Sequence, residues 1–228
     1  MSVGRIIGHG DVRARLQAMK ERVPSSLLFA GPQGIGKKLV ALEFARDLTG
    51  ETRALDLSQS MAQTESLFFI SPDGASIKIE QIREILQFVN LAREGKPLVV
   101  IFDQAHLINP QAANALLKSV EEPPPGVRFF FLTPSPALLL QTIRSRSQVV
   151  RFAPLTDSEV LEVLKIREPD LAVAASAEGA WAIEMAGGSP GSAIEILRGG
   201  DSSVDVPPVI ERLVMACGPK GDSAARTE

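Results

Sequence analysis

The sequence of 228 residues is poor in the residue types that build metal sites, disulfides and stacking surfaces. It has one cysteine, Cys217, and two histidines, His9 and His106. A single thiol excludes an internal disulfide and any zinc site that needs two or more cysteines. Because there is no tyrosine and only one tryptophan, the chain also lacks the aromatic side chains on which single-stranded nucleic acid usually stacks.

Long apolar runs and a strong net charge are also missing. No stretch approaches the ~18 apolar residues that cross a bilayer, and the N-terminal residues lack the apolar core of a signal peptide. We therefore expect a soluble, cytoplasmic protein with no membrane partner. The formal net charge of −3 argues against a protein that coats nucleic acid through its whole surface. Residues 1–50 nevertheless hold eight Lys and Arg against four Asp and Glu.

Strand and helix patterns alternate along the first two thirds of the chain. Apolar runs predict five strands, at residues 26–30, 67–70, 98–102, 127–132 and 148–152. Apolar residues at helical spacing predict helices at residues 12–22, 37–48, 79–89 and 110–122. This alternation is typical of an α/β fold, here a five-stranded parallel sheet covered by helices on both faces.

The pattern changes at Pro154. Residues 155–200 show no convincing strand and three short helical patterns, the first of which opens on a capping box of Thr156 and Glu159. We predict a nucleotide-binding core at 1–153 and a small three-helix lid domain at 154–200. A short helix and a flexible tail should follow at 201–228.

A glycine-rich turn joins the first strand to the following helix. It matches the phosphate-loop pattern G-x-x-x-x-G-K, in which backbone N–H groups and the lysine bind nucleotide phosphates. The candidate nucleotide-binding residues here are Gly31, Pro32, Gln33, Gly34, Ile35, Gly36 and Lys37. The alternative is an ordinary glycine-rich turn, which the full spacing and the flanking elements disfavour.

The residues expected to hold magnesium and activate water depart from the pattern. Lys38 stands where a serine or threonine hydroxyl would bind Mg²⁺. Asp103 follows the strand at 98–102, as an acidic partner of the metal should, but the next residue is Gln104 and not a glutamate. An amide orients water without accepting its proton. We expect Mg²⁺ binding to be weak or absent and hydrolysis to be inefficient, and the sequence leaves open whether ATP binds.

Four segments resemble bacterial DNA polymerase III clamp-loader subunits of the delta-prime and gamma type, which are AAA+ proteins. Residues 109–124, NPQAANALLKSVEEPP, resemble the segment after the acidic motif of that family. Residues 142–147, TIRSRS, resemble its T-I-x-S-R-C signature. Residues 6–9 resemble its segment beside the adenine, and residues 77–83 are also similar to the family. The resemblance covers most of residues 5–200, and delta-prime is the better match.

The resemblance implies roles for several residues. Arg146 would be an arginine finger that acts on ATP bound to a neighbouring subunit, whereas a surface arginine paired with a carboxylate is the alternative. Ile7 would lie beside the adenine. Thr133 would be the polar sensor at the end of the fourth strand, although a threonine that simply ends a buried strand is equally compatible. Gly191 stands where active motors carry a nucleotide-sensing arginine.

The resemblance also implies partners, with two departures. The partners would be the gamma or tau and delta subunits, and DNA would be contacted indirectly or through its phosphates, with Arg13, Arg15 and Lys20 on one helix face as candidates. A solvated helix face is the simpler interpretation of those three residues. No zinc is expected, because residues 50–64 contain no cysteine. The residues after 200 are too few for the family's collar domain of ~100 residues.

Three functions remain open from the sequence. The first is a scaffold subunit with weak or no ATPase that supplies Arg146 to a neighbour. The second is an active gamma-like ATPase motor, which would have to tolerate Lys38 and Gln104. The third, a small-molecule kinase, needs several arginines in its lid, where residues 155–200 offer only Arg167 and Arg198.

Overall fold

The computed structural model describes residues 6–90, 97–177 and 180–199. Its strands are β1 (Ser26–Ala30), β2 (Met61–Gln63), β3 (Leu67–Ile70), β4 (Leu98–Phe102), β5 (Val127–Thr133) and β6 (Gln148–Arg151). Its helices are α1 (Gly10–Ala18), α2 (Lys37–Thr49), α3 (Ile79–Asn90), α4 (Pro110–Glu121), α5 (Gln141–Arg144), α6 (Asp157–Arg167), α7 (Pro169–Ala177), α8 (Ala180–Met185) and α9 (Pro190–Leu197).

The strands form one sheet in the order β2-β3-β4-β5-β1-β6. The five predicted strands are all present and parallel, so the predicted α/β architecture is confirmed. The number of strands is not, because a sixth strand, β2, pairs antiparallel with β3 at the edge. This strand has only three residues and lies in a polar stretch, and such a segment carries no alternating pattern that would announce it.

Both faces of the sheet are covered, which explains the continuous apolar runs of its central strands. Every residue of β1, β3 and β4 is buried. One face packs under α3 and α4, where Phe102 and Phe131 stack with centroids 5.1 Å apart. The other face packs under α2, where Phe130 contacts Phe29 and stacks on Phe44.

The described residues of 157–177 and 180–197 form four helices, where the sequence pattern predicted three. Helix α6 begins at the predicted capping box, in which the Thr156 and Glu159 side chains bond each other's backbone N–H. The four helices share a small apolar core of their own around Val160 and Leu164. The division into domains at these boundaries remains a prediction, and the helix and tail predicted at 201–228 lie outside the described residues.

The N-terminal helix is shorter than predicted. Helix α1 ends at Ala18, and Lys20 lies beyond it in a separate 3-10 turn, so Arg13, Arg15 and Lys20 do not share one helix face. Arg13 is engaged within the chain, because its guanidinium makes two hydrogen bonds of 2.9 Å to Glu43. None of the helices in the three described ranges is both long and apolar enough to cross a membrane.

Candidate nucleotide-binding site

Parallel strands bring most of the predicted site residues to one edge of the sheet, the edge formed by the carboxyl ends of the strands. Ala30, at the end of β1, pairs with Thr133, at the end of β5. Asp103 directly follows β4, the strand on the other side of β5. The glycine-rich loop therefore lies at the same edge as Asp103 and Thr133, as the sequence predicted.

The loop has backbone conformations that only glycine adopts without strain. Gly34 has φ 72° and Gly36 has φ 105°, and Gly36 is the residue before the first turn of α2. A Cβ on Gly31 would lie 2.7 Å from the Phe152 backbone oxygen. These turns place the loop at the N-terminus of a 13-residue helix, where free N–H groups and the helix dipole attract anions.

Lys37 folds back over the loop. Its Nζ donates to the carbonyl oxygens of Gly31 and Pro32, at 2.7 and 2.6 Å, and only 9% of the residue is exposed. Burial lowers the pKa of Lys37 to about 8, because desolvation disfavours the charged amine more than nearby Asp103 favours it. At neutral pH most Lys37 side chains are therefore protonated, and the ammonium lies against the carbonyl oxygens of the loop.

The lowered pKa of Lys37 predicts a pH-dependent stability. Between about pH 8 and the ordinary lysine pKa of 10.5, the unfolded chain binds a proton that the folded chain has lost. The free energy of unfolding should therefore rise with pH in that window, relative to a Lys37→Met variant that lacks the group. Denaturant titrations of both proteins from pH 6.5 to 10 measure the difference. A difference that falls with pH, or stays flat, would contradict the burial argument.

Lys38 forms an ion pair with Asp103. Its Nζ lies 2.7 Å from Asp103 Oδ2 and 5.2 Å from the centre of the Phe69 ring. The other Asp103 oxygen accepts the N–H of Gln104. The two positions that would jointly hold Mg²⁺ thus hold an ammonium and its counter-ion. The residues present do not fit a divalent cation, and the described part of the chain contains no group of three or more His, Cys, Asp or Glu suited to a metal.

Thr133 is buried, and its hydroxyl is already used. Oγ1 donates to the carbonyl oxygen of Ser135 at 3.0 Å, and the Thr133 carbonyl accepts the N–H of Gly31. These bonds are those of a threonine that ends a buried strand, and they also fix the start of the phosphate loop. Both interpretations of Thr133 from the sequence are compatible with this position.

The start of helix α9 contacts the phosphate loop directly. Ser189 Oγ donates to the carbonyl oxygen of Gln33 at 2.7 Å, and the Gly191 N–H donates to that of Gly34 at 3.1 Å. A Cβ at Gly191 would lie 2.6 Å from the Gly34 Cα, so this arrangement leaves no room for a side chain there. No sequence pattern around Gly191 indicated this contact, because it joins residues more than 150 positions apart.

A cavity of about 300 Å³ opens beside the loop. It lies between the N-terminal segment, the loop and helices α6 and α9, and Ile7 is among the residues that line it. A place for Ile7 beside an adenine stays a prediction. Arg167 lines the cavity too, whereas Arg198, the other arginine that a kinase would need, is paired with Glu168 at 2.6 Å. Ile35 lines the cavity as well, although most of its side chain is buried.

His9 belongs to the segment of residues 6–9 that resembles the family, but the sequence did not single it out as a site residue. Its Nε2 lies 2.7 Å from the Ile35 carbonyl oxygen, which ties the N-terminal segment to the phosphate loop. Its ring also meets Phe152 edge to face, with centroids 4.9 Å apart. Its neighbours Gly8 and Gly10 were a further signal, since His9 adopts the left-handed φ of 54°.

Arg146 lies at the opposite edge of the sheet from the phosphate loop, where the amino ends of the parallel strands meet. It precedes β6, whose first residue, Gln148, pairs with Leu27 near the start of β1. The five residues of β1 span about 16 Å between the two edges. Arg146 Nη2 forms an ion pair of 2.7 Å with Glu121, and Nη1 donates to the Thr142 carbonyl oxygen. Within one chain Arg146 therefore has the surface pairing that the sequence left as an alternative.

Comparison with known sequences assigns the family. The family described as "DNA polymerase III, delta subunit" matches residues 13–156. The delta-prime subunit of Pseudomonas aeruginosa is 34% identical, with 72% of this chain and 52% of that protein aligned. The gamma subunit of Buchnera aphidicola is 30% identical, with 63% and 42% aligned. The chain thus spans about half the length of these curated relatives.

Solved structures share the fold. The Thermotoga maritima RuvB Holliday junction branch migration motor has a TM-score of 0.58 and 22% identity, and covers 84% of this chain and 61% of its own. A DNA polymerase III gamma subunit-related protein of the same organism has a TM-score of 0.55 and 23% identity, with 72% and 57% covered. The family match, which covers more than half of the chain, shows that this chain belongs to the DNA polymerase III delta subunit family.

Proposed function

We propose that this chain is a delta-prime-like subunit of a DNA polymerase III clamp loader, acting as a scaffold with weak or no ATPase of its own. The observation that carries the proposal is the Lys38–Asp103 ion pair. Phosphoryl transfer to water depends on a metal that neutralises charge on the β- and γ-phosphates, and here a lysine of the chain takes up the acidic ligand of that metal.

Two further residues support a loss of hydrolysis. Gln104 is exposed beside Asp103, and its neutral amide has no capacity to accept a proton from an attacking water. Gly191 lies against the loop backbone, where no side chain fits to sense a γ-phosphate. Because the three changes affect metal binding, water activation and sensing separately, they point to one outcome from independent parts of the site.

The proposal gives Arg146 its role on a neighbouring subunit. The edge on which Arg146 lies is about 16 Å from the chain's own phosphate loop, so it acts on another subunit or not at all. The Arg146 side chain is 39% exposed. Because its ion pair with Glu121 is also exposed, the pair contributes little energy, and Arg146 can leave Glu121 for a neighbour's phosphate at little cost. An arginine supplied in this way stabilises the charge that develops on the transferred phosphoryl group.

The partners in this proposal are gamma or tau and delta subunits, in the cytoplasm. The curated relatives carry the names of DNA polymerase III subunits, which supports this assembly. DNA would be contacted indirectly or through its phosphates. Arg13 is the weakest candidate for that contact because Glu43 already neutralises it.

An active gamma-like motor remains the second candidate. It is favoured by the phosphate loop itself, which keeps its glycine conformations and its lysine, and by matches to gamma and tau subunits at 30–34% identity. For this function Lys38 would have to leave Asp103 when nucleotide and metal bind.

ATP hydrolysis by the isolated full chain separates the two candidates. We expect the chain to hydrolyse ATP no faster than its Lys37→Ala variant, and to raise turnover when it is added to gamma and delta subunits of the same organism. Steady hydrolysis that Lys37→Ala abolishes would contradict the scaffold proposal and favour the motor.

A further inference from the structure

We propose that the phosphate loop binds nucleoside di- or triphosphates in their metal-free form, with the Lys38 ammonium in the place of the divalent cation. This goes beyond the scaffold function, which requires no nucleotide on this chain. It follows from the poor fit of Mg²⁺ to the residues that would hold it.

The Lys38 ammonium is held in position by two neighbours. Asp103, whose side chain is 14% exposed, pairs with it at 2.7 Å, and the Phe69 ring lies beneath it at 5.2 Å. The Lys38 side chain itself is 42% exposed. Because the protein covers only part of the Lys38 side chain, N–H groups of the ammonium remain to donate to an anion from the solvent side.

The charges at the loop suit a bare polyphosphate. Lys37 and Lys38 are consecutive, and both reach the edge of the sheet where the loop N–H groups and the α2 dipole already favour anions. A metal carried in by the nucleotide would meet the Lys38 ammonium at close range, and like charges there repel. To bind the metal, Asp103 would have to give up its ion pair. The metal complex of the nucleotide should therefore bind less well than the free nucleotide.

The contact with helix α9 leaves the anion-binding groups of the loop available. Ser189 and Gly191 both donate to carbonyl oxygens of the loop. These two bonds therefore leave the N–H groups of the loop free to bind an anion. The cavity of about 300 Å³ beside Gly34 and Gly36 gives room for the base and sugar. Ile7, Leu39 and Ile194 supply apolar lining for a base. Of the two charged residues that also line the cavity, Glu168 is paired with Arg198, and Arg167 adds a positive charge.

The test compares ATP binding by the full chain in EDTA and in excess Mg²⁺, measured by calorimetric titration. For the wild-type chain we expect binding in EDTA to be about tenfold tighter than in Mg²⁺, the size of one charge-assisted hydrogen bond. Lys38→Thr restores a hydroxyl and frees Asp103, so its binding should become tighter in Mg²⁺ than in EDTA. ADP should follow the same order.

A matched control is available elsewhere in the chain. Lys78 forms an exposed ion pair with Asp73 of the same 2.7 Å length, so Lys78→Thr removes a lysine and an ion pair without touching the loop. It should keep the preference for EDTA. Lys38→Arg, which keeps the charge, should keep it too and serves if Lys38→Thr does not fold, as judged by its circular dichroism.

Three results would overturn the proposal. They are tighter binding of ATP by the wild-type chain in Mg²⁺, no binding in either buffer, or a Lys38→Arg variant that prefers the metal complex. The scaffold function would survive each of them if the isolated chain still fails to hydrolyse ATP. Conversely, hydrolysis by the isolated chain would contradict the scaffold function, whatever the order of the two affinities.

Discussion

Under the proposed function, replacing Arg146 by alanine should remove one ATP per copy of this chain from the first round of hydrolysis by the reconstituted clamp loader. An arginine finger typically accelerates phosphoryl transfer by about 10³-fold or more, so the site that faces this chain should become effectively silent. Rapid-quench measurement of the burst amplitude, on loaders reconstituted with the full chain, detects the loss of a single site.

Two variants near Arg146 serve as controls. Arg144→Ala removes a positive charge two residues from Arg146, at the end of the short helix α5, and should leave the burst unchanged. Glu121→Gln releases Arg146 from its ion pair, and its burst should equal that of the wild-type chain. Size-exclusion chromatography establishes that each loader still assembles. A normal burst from an assembled Arg146→Ala loader would refute the finger.

Replacing Phe130 by alanine should produce the largest loss of stability. Phe130 is fully buried on β5, with Phe29 of β1 at 5.3 Å and Phe44 of α2 stacked on it at 5.8 Å. Truncation leaves a cavity between the sheet and the helix that carries Lys37 and Lys38. The expected cost is about 3–5 kcal/mol of the free energy of unfolding, measured by chemical denaturation.

Phe88 provides the comparison for Phe130. It is 41% exposed on α3, and it makes a single ring contact, with Phe68 at 5.4 Å. Phe88→Ala should cost about 1 kcal/mol, because less apolar area returns to water and no enclosed cavity forms. Equal losses for the two variants would show that Phe130 is not the anchor of α2 that its ring contacts indicate.

The parallel sheet was predictable because its strands are buried on both faces. Runs such as Leu98–Phe102 are apolar at every position, and a strand of that kind needs no particular partner to be recognised. The three-residue edge strand β2 escaped prediction for the opposite reason. Only Ala62 of its residues is buried, so pairing with β3, and not burial of its own side chains, makes it a strand.

In the candidate site too, local patterns were predictable from the sequence and contacts between distant segments were not. The spacing of Gly31 to Lys37 and the position of Asp103 after a strand are local patterns, and both predicted where these residues lie. The contacts of Ser189, Gly191 and His9 with the loop are not local. They depend on how the segment after β6 and the N-terminal segment pack onto it, and no spacing in the sequence records that packing.

The sequence by itself determined the family, the parallel sheet and the unusual Lys38, because a motif and an apolar run are properties of neighbouring residues. Only the tertiary structure decided what Lys38 does. A lysine in the first turn of a helix can also face solvent, but the parallel order of β1, β5 and β4 brings Asp103 to within 2.7 Å of the Lys38 Nζ. The same sheet places Arg146 at the opposite edge. Because β6 runs parallel to β1, the residues just before β6, Arg146 among them, must lie near the start of β1.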